Sequence, residues 1–204
     1  MVFDSRITAL PLAFSFLCKP LHVLDFGGSV GTHYVLATKC YPSIPIAKWA
    51  VVETEPFVAR AREMDTDAFQ FFSDISAAAD WLGPVDLLTT AGALQYTADP
   101  ISFLIRLLQF RSPVFALQRC AFSLDDAFIT IQRSMLSGNA RGPLPADFVD
   151  REIRFPITFL NEADVHAICS KQYKSVLKIL NEGEVMVAQR RTRSGDALIY
   201  SSRR

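Results

Sequence analysis

The most constraining feature of the sequence is a glycine-rich turn between a short apolar run and a segment able to form a helix. The run 21–26 reaches Asp25 near its end, and three glycines follow within residues 27–31. Glycine lets the backbone turn sharply and lets a ligand approach it, because no Cβ stands in the way. A helix starting near Thr32 directs its unpaired N–H groups and its positive dipole end into the space above the turn. The stretch therefore predicts strand, tight turn and helix, with a nucleotide-type pocket that Asp25 also faces.

The spacing of this turn excludes two common phosphate-binding loops. A dinucleotide fingerprint requires Gly-x-Gly-x-x-Gly, but counted from Gly27 its second and third glycine positions hold Ser29 and Thr32. A Gly-Lys-Ser/Thr loop requires a lysine, and none occurs between Lys19 and Lys39. The expected ligand is therefore not NAD, FAD or a nucleoside triphosphate.

The same turn also matches Gly-x-Ser-x-Gly, the elbow of serine hydrolases, with Ser29 as nucleophile. That elbow follows a central strand, after earlier strands and an oxyanion-hole loop, whereas only 28 residues precede Ser29. His166 is the candidate base, yet its neighbours do not resemble a late catalytic loop. A hydrolase using Ser29 is therefore the least favoured of the functions considered.

The turn resembles the first motif of class I S-adenosylmethionine-dependent methyltransferases, acid-x-Gly-x-Gly-x-Gly after the first strand, with Ser29 at the middle glycine. The longer pattern is similar to a small group of bacterial methyltransferases with an Asp-Phe-Gly-Gly-Ser loop, in which serine is usual at that position. The similarity spans roughly residues 21–180. Its matching stretches are 25–29, 31–34, 49–53, 71–72, 90–96 and 99–100, with Arg119 and Gln132.

The resemblance implies a Rossmann-like α/β fold, with a mostly parallel sheet, helices on both faces and an antiparallel C-terminal hairpin. It implies transfer of a methyl group from S-adenosyl-L-methionine to a small-molecule acceptor, such as a sugar or another hydroxyl compound. A methyltransferase-like module that binds or regulates without catalysis is the alternative. The implied cofactor-binding residues are Asp25, Gly27, Gly28, Ser29, Gly31, Glu53, Asp74, Gly92, Ala93 and Leu94.

Two acids follow the predicted second and third strands, 46–52 and 69–72. Glu53 ends one strand-helix-strand unit, where an acid can accept both ribose hydroxyls of a nucleoside, although Glu55 is a nearby alternative. Asp74 can cap the next helix, because aspartate takes up free N–H groups at helix starts. In many methyltransferases an acid at this place contacts the adenine amino group, so Asp74 is expected to do both.

The acceptor side is predicted from the fourth strand, 85–90, onward. Gln95, Tyr96 and Gln132 are the predicted substrate-binding residues, and Tyr96 is also a catalytic candidate. His33, beside the turn, is a candidate base, and Arg119, after the fifth strand at 113–117, is a cation able to orient an anionic acceptor. Each of the three catalytic candidates has a structural alternative. In that alternative His33 is a structural histidine at a helix start, Tyr96 is a packing aromatic, and Arg119 is paired with a structural acid.

The second half of the chain has a weaker pattern. Residues 121–150 are rich in turn formers and predict a binding loop that builds the acceptor pocket. Segments 175–180 and 184–188 predict an antiparallel hairpin, and 197–200 predicts a last strand. The arginines near the C-terminus predict a solvated surface, and they are Arg190, Arg191, Arg193, Arg203 and Arg204.

Bulk properties set the remaining expectations. With 204 residues, 50% of them hydrophobic, the chain suits one domain over 21–204, preceded by an accessory segment over 1–20 that packs on it. Zero net charge gives no field that attracts nucleic acid, and the apolar run 7–18 is too short to span a membrane. Four widely spaced cysteines predict neither a metal site nor disulfides, but buried thiols in a reducing cytoplasm.

Overall fold

The computed structural model describes residues 5–17, 20–139, 144–180 and 183–202. Its helices are α1 (Ser5–Phe14), α2 (Thr32–Cys40), α3 (Glu55–Ala61), α4 (Ile75–Leu82), α5 (Pro100–Leu108) and α6 (Glu162–Ser170). Its first strands are β1 (Leu21–Phe26), β2 (Ile46–Val52), β3 (Phe69–Phe72), β4 (Leu87–Ala91), β5 (Val114–Gln118) and β6 (Phe122–Ser123). The later strands are β7 (Phe128–Met135), β8 (Glu152–Asn161), β9 (Tyr173–Ile179), β10 (Val185–Val187), β11 (Arg190–Arg193) and β12 (Ala197–Ser202).

The main sheet has seven strands in the order β3-β2-β1-β4-β5-β12-β9. The five strands from β3 to β5 are parallel, and β12 runs antiparallel to both β5 and β9. The chain builds outward from β1 to β3 and then returns to the other side of β1 with β4. Ligands of open α/β sheets bind at such a switch point, beyond the carboxyl ends of the strands. The predicted α/β fold with a mostly parallel sheet is confirmed.

Helices cover both faces of this sheet, because neighbouring strand residues point to opposite sides. Val23 and Leu87 pack with residues of α1, α2 and α3, whereas Leu24 and Leu88 pack with residues of α4, α5 and α6. Helix α1 contributes Leu10 to the first of these clusters, so part of the N-terminal segment belongs to the core. None of the helices in the described ranges is long and apolar enough to cross a membrane.

A second sheet, in the order β10-β11-β6-β8-β7, was not predicted. Residues 121–139, expected to form a loop, contain β6 and β7, and the ten-residue strand β8 was missed. Strands β7 and β8 form an antiparallel ribbon of eight residue pairs, from Phe128 opposite Phe159 to Met135 opposite Glu152. We call this pair the β7–β8 ribbon. Residues 140–143 lie outside the described residues.

The C-terminal antiparallel ending is present, but the predicted hairpin partners are wrong. Strand β9 pairs with β12 in the main sheet, whereas β10 pairs with β11 in the second sheet. Both segments were correctly predicted as strands, because alternation and apolar content are local signals. The choice of partner depends on which core face each strand buries, and local periodicity does not contain that information. Residues 181 and 182 of the expected turn lie outside the described residues.

The prediction of a solvated surface is wrong for Arg190 and Arg193, which are partly buried, whereas Arg191 is exposed as predicted. All three also contact other elements. Arg191 forms an ion pair with Asp125 at 2.8 Å. The Arg193 guanidinium lies 3.5 Å from the Glu162 carboxylate of α6. The Arg190 guanidinium lies 4.8 Å from the centre of the Phe128 ring. Arg203 and Arg204 lie outside the described residues.

The cysteines differ from one another in exposure. Cys120 and Cys169 are buried free thiols, whereas Cys40 is an exposed free thiol. The expectation of buried thiols is therefore wrong for Cys40. Cys18 lies outside the described residues.

Candidate functional site

A cleft of about 580 Å³ lies at the carboxyl ends of the parallel strands. The loops after β1, β2, β3 and β4 all contribute to its wall, together with Phe103 and Arg106 of α5. Six of the predicted site residues line it, namely Gly27, Glu53, Asp74, Gly92, Ala93 and Tyr96. The strand order thus brings Gly27 and Tyr96, which are 69 positions apart in the sequence, to one concave surface.

The glycine turn is held by close backbone contacts that only glycine permits. Gly27 and Gly31 have φ angles of +70° and +75°, in the left-handed region that side chains disfavour. A Cβ on Gly27 would lie 2.1 Å from the Ala93 Cβ, and one on Gly31 would lie 2.3 Å from the Phe69 Cζ. The predicted need for glycine therefore has a packing cause as well as a conformational one.

Asp25 lies beneath the turn instead of facing the cleft, so the expectation that its carboxylate faces the crevice is wrong. The residue has no exposed surface, and the His33 Nδ1 lies 3.2 Å from its Oδ2 and 3.4 Å from its Oδ1. A Cβ on Gly28 would lie only 2.6 Å from the Asp25 Oδ2, so the backbone of the turn rests on this carboxylate. His33 is itself 7% exposed and does not line the cleft. This geometry agrees with the alternative in which His33 is a structural histidine at a helix start.

Glu53 is fixed at the cleft wall by two backbone donors. The Ser29 N–H donates to its Oε1 at 3.0 Å, and the Thr54 N–H donates to its Oε2 at 3.2 Å. Its own N–H donates to the Phe72 carbonyl oxygen of β3 at 2.9 Å. A carboxylate held in this way keeps further lone pairs for a ligand, since each oxygen can accept more than one hydrogen bond. Glu55, the alternative acid, is an exposed residue in the first turn of α3 and does not line the cleft.

Asp74 has the capping role predicted for it and also lies at the cleft. Its Oδ1 accepts from the Ala77 N–H at 2.8 Å at the start of α4. Close to it, the rings of Phe26 and Phe103 form an apolar part of the wall, with centroids 4.4 Å apart. The Phe103 contribution was not predicted. The sequence signal for it is the Asp99-Pro100 start of α5, which places the first turns of that helix directly after the fourth-strand loop.

The segment after β4 separates into cleft and core residues. Gly92 and Ala93 line the cleft, whereas Leu94 is fully buried in the hydrophobic core and does not reach it. Gln95 is 5% exposed, and its Nε2 donates to the Arg119 carbonyl oxygen at 3.1 Å. The Leu94 side chain therefore packs in the core and not at the cleft.

Tyr96 connects the cleft to the β7–β8 ribbon. Its hydroxyl donates to the Gln132 Oε1 at 3.0 Å, and its ring packs edge-on against Phe155, with centroids 5.5 Å apart. Gln132 and Phe155 are direct cross-strand partners, so they lie on the same face of the ribbon. Burial raises the pKa of the Tyr96 phenol despite opposing hydrogen bonds and the Arg119 charge. Tyr96 is consequently a protonated hydrogen-bond donor at neutral pH. Phe155 was missed because β8 was not predicted.

Arg119 occupies a strained position directly after β5. Its φ angle is +54°, which is uncommon for a residue with a side chain. Its N–H donates to the Asp196 carbonyl oxygen at 2.7 Å, and its carbonyl oxygen accepts from Gln95. The guanidinium lies against Gly92, with the Nη2 at 3.4 Å from the position of a Cβ on that glycine. Arg119 therefore places its charge beside Gly92 and Tyr96, two residues that line the cleft.

The hydrolase triad is not assembled. His166 lies on α6 beside Tyr200, with ring centroids 6.2 Å apart. Tyr200 is on β12, three strands from β1 in the sheet, which corresponds to about 14 Å at the usual strand spacing. A catalytic serine and histidine must be within hydrogen-bond reach. Ser29 and His166 therefore do not form a nucleophile and base.

Comparison with known proteins gives a match of fold without a match of sequence. No family model and no curated protein matches the chain. The N-terminal domain of EvdMO1, solved with S-adenosylhomocysteine and D-fucose, matches with a TM-score of 0.60 and 12% identity, over 100% of this chain and 85% of that one. The CcbJ methyltransferase of Streptomyces caelestis matches with a TM-score of 0.60 and 14% identity, over 98% and 96%. CalS10 of Micromonospora echinaspora, an amino pentose methyltransferase solved with bound S-adenosylmethionine, matches with a TM-score of 0.60 and 12% identity, over 100% and 92%.

These matches define the fold of the chain as the Rossmann-like fold of S-adenosylmethionine-dependent methyltransferases. The match extends over almost the whole of this chain and most of each neighbour.

Proposed function

We propose that the protein transfers a methyl group from S-adenosyl-L-methionine to a small-molecule acceptor. The observation that carries this proposal is the Glu53 carboxylate, which two backbone N–H groups hold at the wall of a cleft over the glycine turn. An acid after the second strand of such a sheet is placed to accept both hydroxyls of a ribose.

The residues of the cleft fit the parts of this cofactor. Glu53 would hold the ribose hydroxyls, each charge-assisted hydrogen bond contributing about 1.5–3 kcal/mol. Asp74 retains its Oδ2 for the adenine amino group, and Phe26 and Phe103 supply an apolar surface for the base. The turn 27–31 and residues Gly92 and Ala93 would enclose the amino acid end, where the absence of large side chains leaves room.

When bound, S-adenosylmethionine supplies a methyl group on a positively charged sulfur, which is a good leaving group. The task of the protein is to orient the acceptor for in-line attack and to exclude water. Tyr96 and Gln132 are placed to orient a polar acceptor, because they lie where the cleft meets the β7–β8 ribbon. The raised pKa of the Tyr96 phenol suits a hydrogen-bond donor and not a base.

We propose a hydroxyl compound such as a sugar as the acceptor. The Tyr96 hydroxyl and the Gln132 amide can exchange hydrogen bonds with hydroxyl groups, and Phe155 offers an apolar ring face beside them. Gln95, whose side chain is buried, is left out of this set. Among the structural neighbours, one is an amino pentose methyltransferase and one was solved with D-fucose. We place this activity in the cytoplasm, in keeping with the free thiols Cys40, Cys120 and Cys169.

Two measurements together test this function. Isothermal titration of S-adenosylhomocysteine into the folded protein should show micromolar binding, and a folded sample that binds none would contradict the proposal. Incubation with tritiated methyl donor and pooled sugars should then label a small molecule. Binding without transfer to any member of a broad hydroxyl and amine pool would favour the non-catalytic module.

A further inference from the structure

Strand β7 forms one edge of the second sheet, with β8 on one side and no other described strand beside it. The Leu136 N–H donates to the Arg151 carbonyl oxygen at 2.9 Å, in a register that continues that of the β7–β8 ribbon. In an antiparallel pair every second residue exchanges its backbone hydrogen bonds with the opposite residue, and the residues between them direct theirs away. The residues of β7 whose N–H and C=O groups point away from β8 are therefore Ile129, Ile131, Arg133 and Met135.

The same four residues also have exposed side chains, because they share one face of the strand. Ile129 is 69% exposed, Ile131 is 56% exposed and Met135 is 47% exposed. The exposed Pro156 of β8 is the cross-strand partner of Ile131 and extends this apolar face. Single exposed apolar residues are ordinary, but a row of them beside backbone groups without a partner strand is a template for pairing with another strand.

The other sheet edges in the described part of the chain are short or protected, which sets β7 apart. Strand β3 has four residues and β10 has three, too few to pair extensively. Strand β9 carries two exposed lysines, Lys174 and Lys178, and lysine on an edge strand discourages pairing. Strand β7 has eight residues, with no proline, no lysine and no bulge in its register with β8. Its edge is therefore long, regular and open.

This edge fits a second copy of the chain, because an antiparallel edge strand is complementary to itself. A two-fold axis across the edge brings each outward N–H of one copy opposite an outward C=O of the other, so both copies use the same patch. The formal net charge of the chain is zero, so no long-range repulsion opposes association of two copies. The eight residues extend over about 27 Å of edge, which is a small interface and predicts weak, reversible association.

We propose that β7 pairs antiparallel with β7 of a second copy, about a two-fold axis at Ile131. Only residues with outward backbone groups can form the bonded pairs, so odd-numbered positions must face odd-numbered positions. An axis at Ile131 places the two Ile131 side chains side by side and Ile129 opposite Arg133. An axis at Gln132 would instead place the two Arg133 side chains diagonally, about 7–8 Å apart, where like charges repel.

This pairing would bring the second copy to the cleft. Gln132 accepts a hydrogen bond from the hydroxyl of Tyr96, which lines the cleft. In the proposed register Thr130 of the second copy lies directly opposite Gln132, in a pair without mutual backbone hydrogen bonds, where Cα atoms are about 4.5 Å apart. Each copy therefore adds a hydroxyl group beside the Tyr96–Gln132 hydrogen bond of the other. The pairing itself does not depend on which ligand the cleft holds.

Sedimentation velocity and amide hydrogen exchange test the pairing, both over protein concentrations from about 1 μM to about 500 μM. The variants are Ile131→Arg, Ile131→Thr and Val185→Arg. Ile131→Arg places two like charges at the axis, whereas Ile131→Thr keeps a β-branched residue and removes apolar area. Val185→Arg is the matched control, since Val185 is 55% exposed on β10, the opposite edge of the same sheet. Urea unfolding of each variant at the lowest concentration confirms that it is folded.

The wild type should form a dimer with a Kd of about 10–100 μM, as suits an interface of this size. Ile131→Arg should raise the Kd by more than about 10-fold, Ile131→Thr should raise it less, and Val185→Arg should leave it unchanged. Amide exchange at Ile129, Ile131 and Arg133 should slow as the concentration rises, because these amides are bonded only in the dimer. Exchange at Thr130 and Gln132 should change far less, because β8 already accepts from both.

Three results would overturn the proposal. A wild type that stays monomeric at about 500 μM would exclude a second copy and leave the edge for a strand of another protein. Association insensitive to Ile131→Arg, or weakened as much by Val185→Arg, would place the contact on another surface. Exchange at Ile129 and Ile131 that is already slow in the monomer would mean that the edge is covered within one chain.

Discussion

Asp25 and His33 form a buried pair under the glycine turn, with the His33 Nδ1 3.2 Å from the Asp25 Oδ2. Asp25 ends the first strand region and His33 belongs to the first turn of α2, so the pair joins the two elements that flank the turn. Because the turn rests on the Asp25 carboxylate, its shape depends on that carboxylate staying in place. The Asp25–His33 pair therefore supports the proposed cofactor site from beneath the turn.

Removing the imidazole should destabilise the protein without removing a catalytic base. His33→Ala leaves a buried carboxylate without this partner, and the expected loss is about 1–3 kcal/mol in the free energy of unfolding. His33→Asn retains an N–H donor and should lose less than about 1 kcal/mol. Urea denaturation measures both. A His33→Asn protein that is stable and binds S-adenosylhomocysteine but transfers no methyl group would instead identify His33 as the base.

Adding one methyl group at Gly31 should damage the turn. Gly31→Ala places a Cβ 2.3 Å from the Phe69 Cζ, in addition to a left-handed backbone cost of about 1–2 kcal/mol. We expect a loss of more than about 2 kcal/mol in the free energy of unfolding and weaker S-adenosylhomocysteine binding. Gly138→Ala is the control, because a Cβ there meets no atom within 4 Å. Equal stability of the two variants would show that Gly31 is not constrained by packing.

The hydrogen bond between Tyr96 and Gln132 should couple the cleft to the β7–β8 ribbon. A double-mutant cycle of Tyr96→Phe and Gln132→Leu is expected to give a coupling of about 0.5–1.5 kcal/mol in urea unfolding. Amide hydrogen exchange over residues 128–135 should become faster in Tyr96→Phe, since the ribbon loses an attachment. Strictly additive effects, with unchanged exchange, would mean that the two side chains do not hold the ribbon.

Stability should fall at alkaline pH because of two buried thiols. Burial raises the pKa of the Cys169 thiol to about 12 and raises that of Cys120 as well. An unfolded thiol ionises near pH 8.5, so above that pH the unfolded chain releases protons that the folded chain retains. The free energy of unfolding should then fall by about 1.4 kcal/mol per pH unit for each thiol.

Urea unfolding between pH 8 and pH 10 measures this slope. Cys120→Ala should remove about half of it. Cys40→Ser should leave the slope unchanged, because Cys40 is exposed in the folded protein. A slope that persists in Cys120→Ala and disappears in Cys40→Ser would assign the effect to the wrong thiol and contradict the prediction.

The parallel half of the fold was predictable because its signals are local. Short apolar runs ending in turn formers gave the strands β1 to β5, and Asp74 and Asp99 marked the starts of α4 and α5. Local signals also explain why the positions of Glu53 and Tyr96 were predicted. Glu53 directly follows a strand, and Tyr96 lies in the turn after a strand. Strand ends meet at one edge of a parallel sheet whatever the details of packing.

The remainder depends on contacts between distant residues. Strand β8 does carry a local strand signal, because Ile153, Phe155, Ile157 and Phe159 alternate with polar residues. Pro156 in its middle argues against a central strand, and the segment was missed. The meeting of Gln132 with Phe155 is set by the register of the ribbon, which no single segment encodes. Asp25 was assigned to the cleft from its place at a strand end, but its partner His33 shows that its side chain points below the turn.

The central claim is that Glu53 anchors a nucleoside in the cleft, and the most direct measurement is calorimetric titration of S-adenosylhomocysteine into Glu53→Gln and Glu55→Gln. Both variants remove one charge from neighbouring positions, but only Glu53 accepts from the Ser29 and Thr54 N–H groups at the cleft wall. We expect Glu53→Gln to bind about 10- to 100-fold more weakly than the wild type and Glu55→Gln to bind equally well. Unchanged affinity in Glu53→Gln, or a loss confined to Glu55→Gln, would contradict the account.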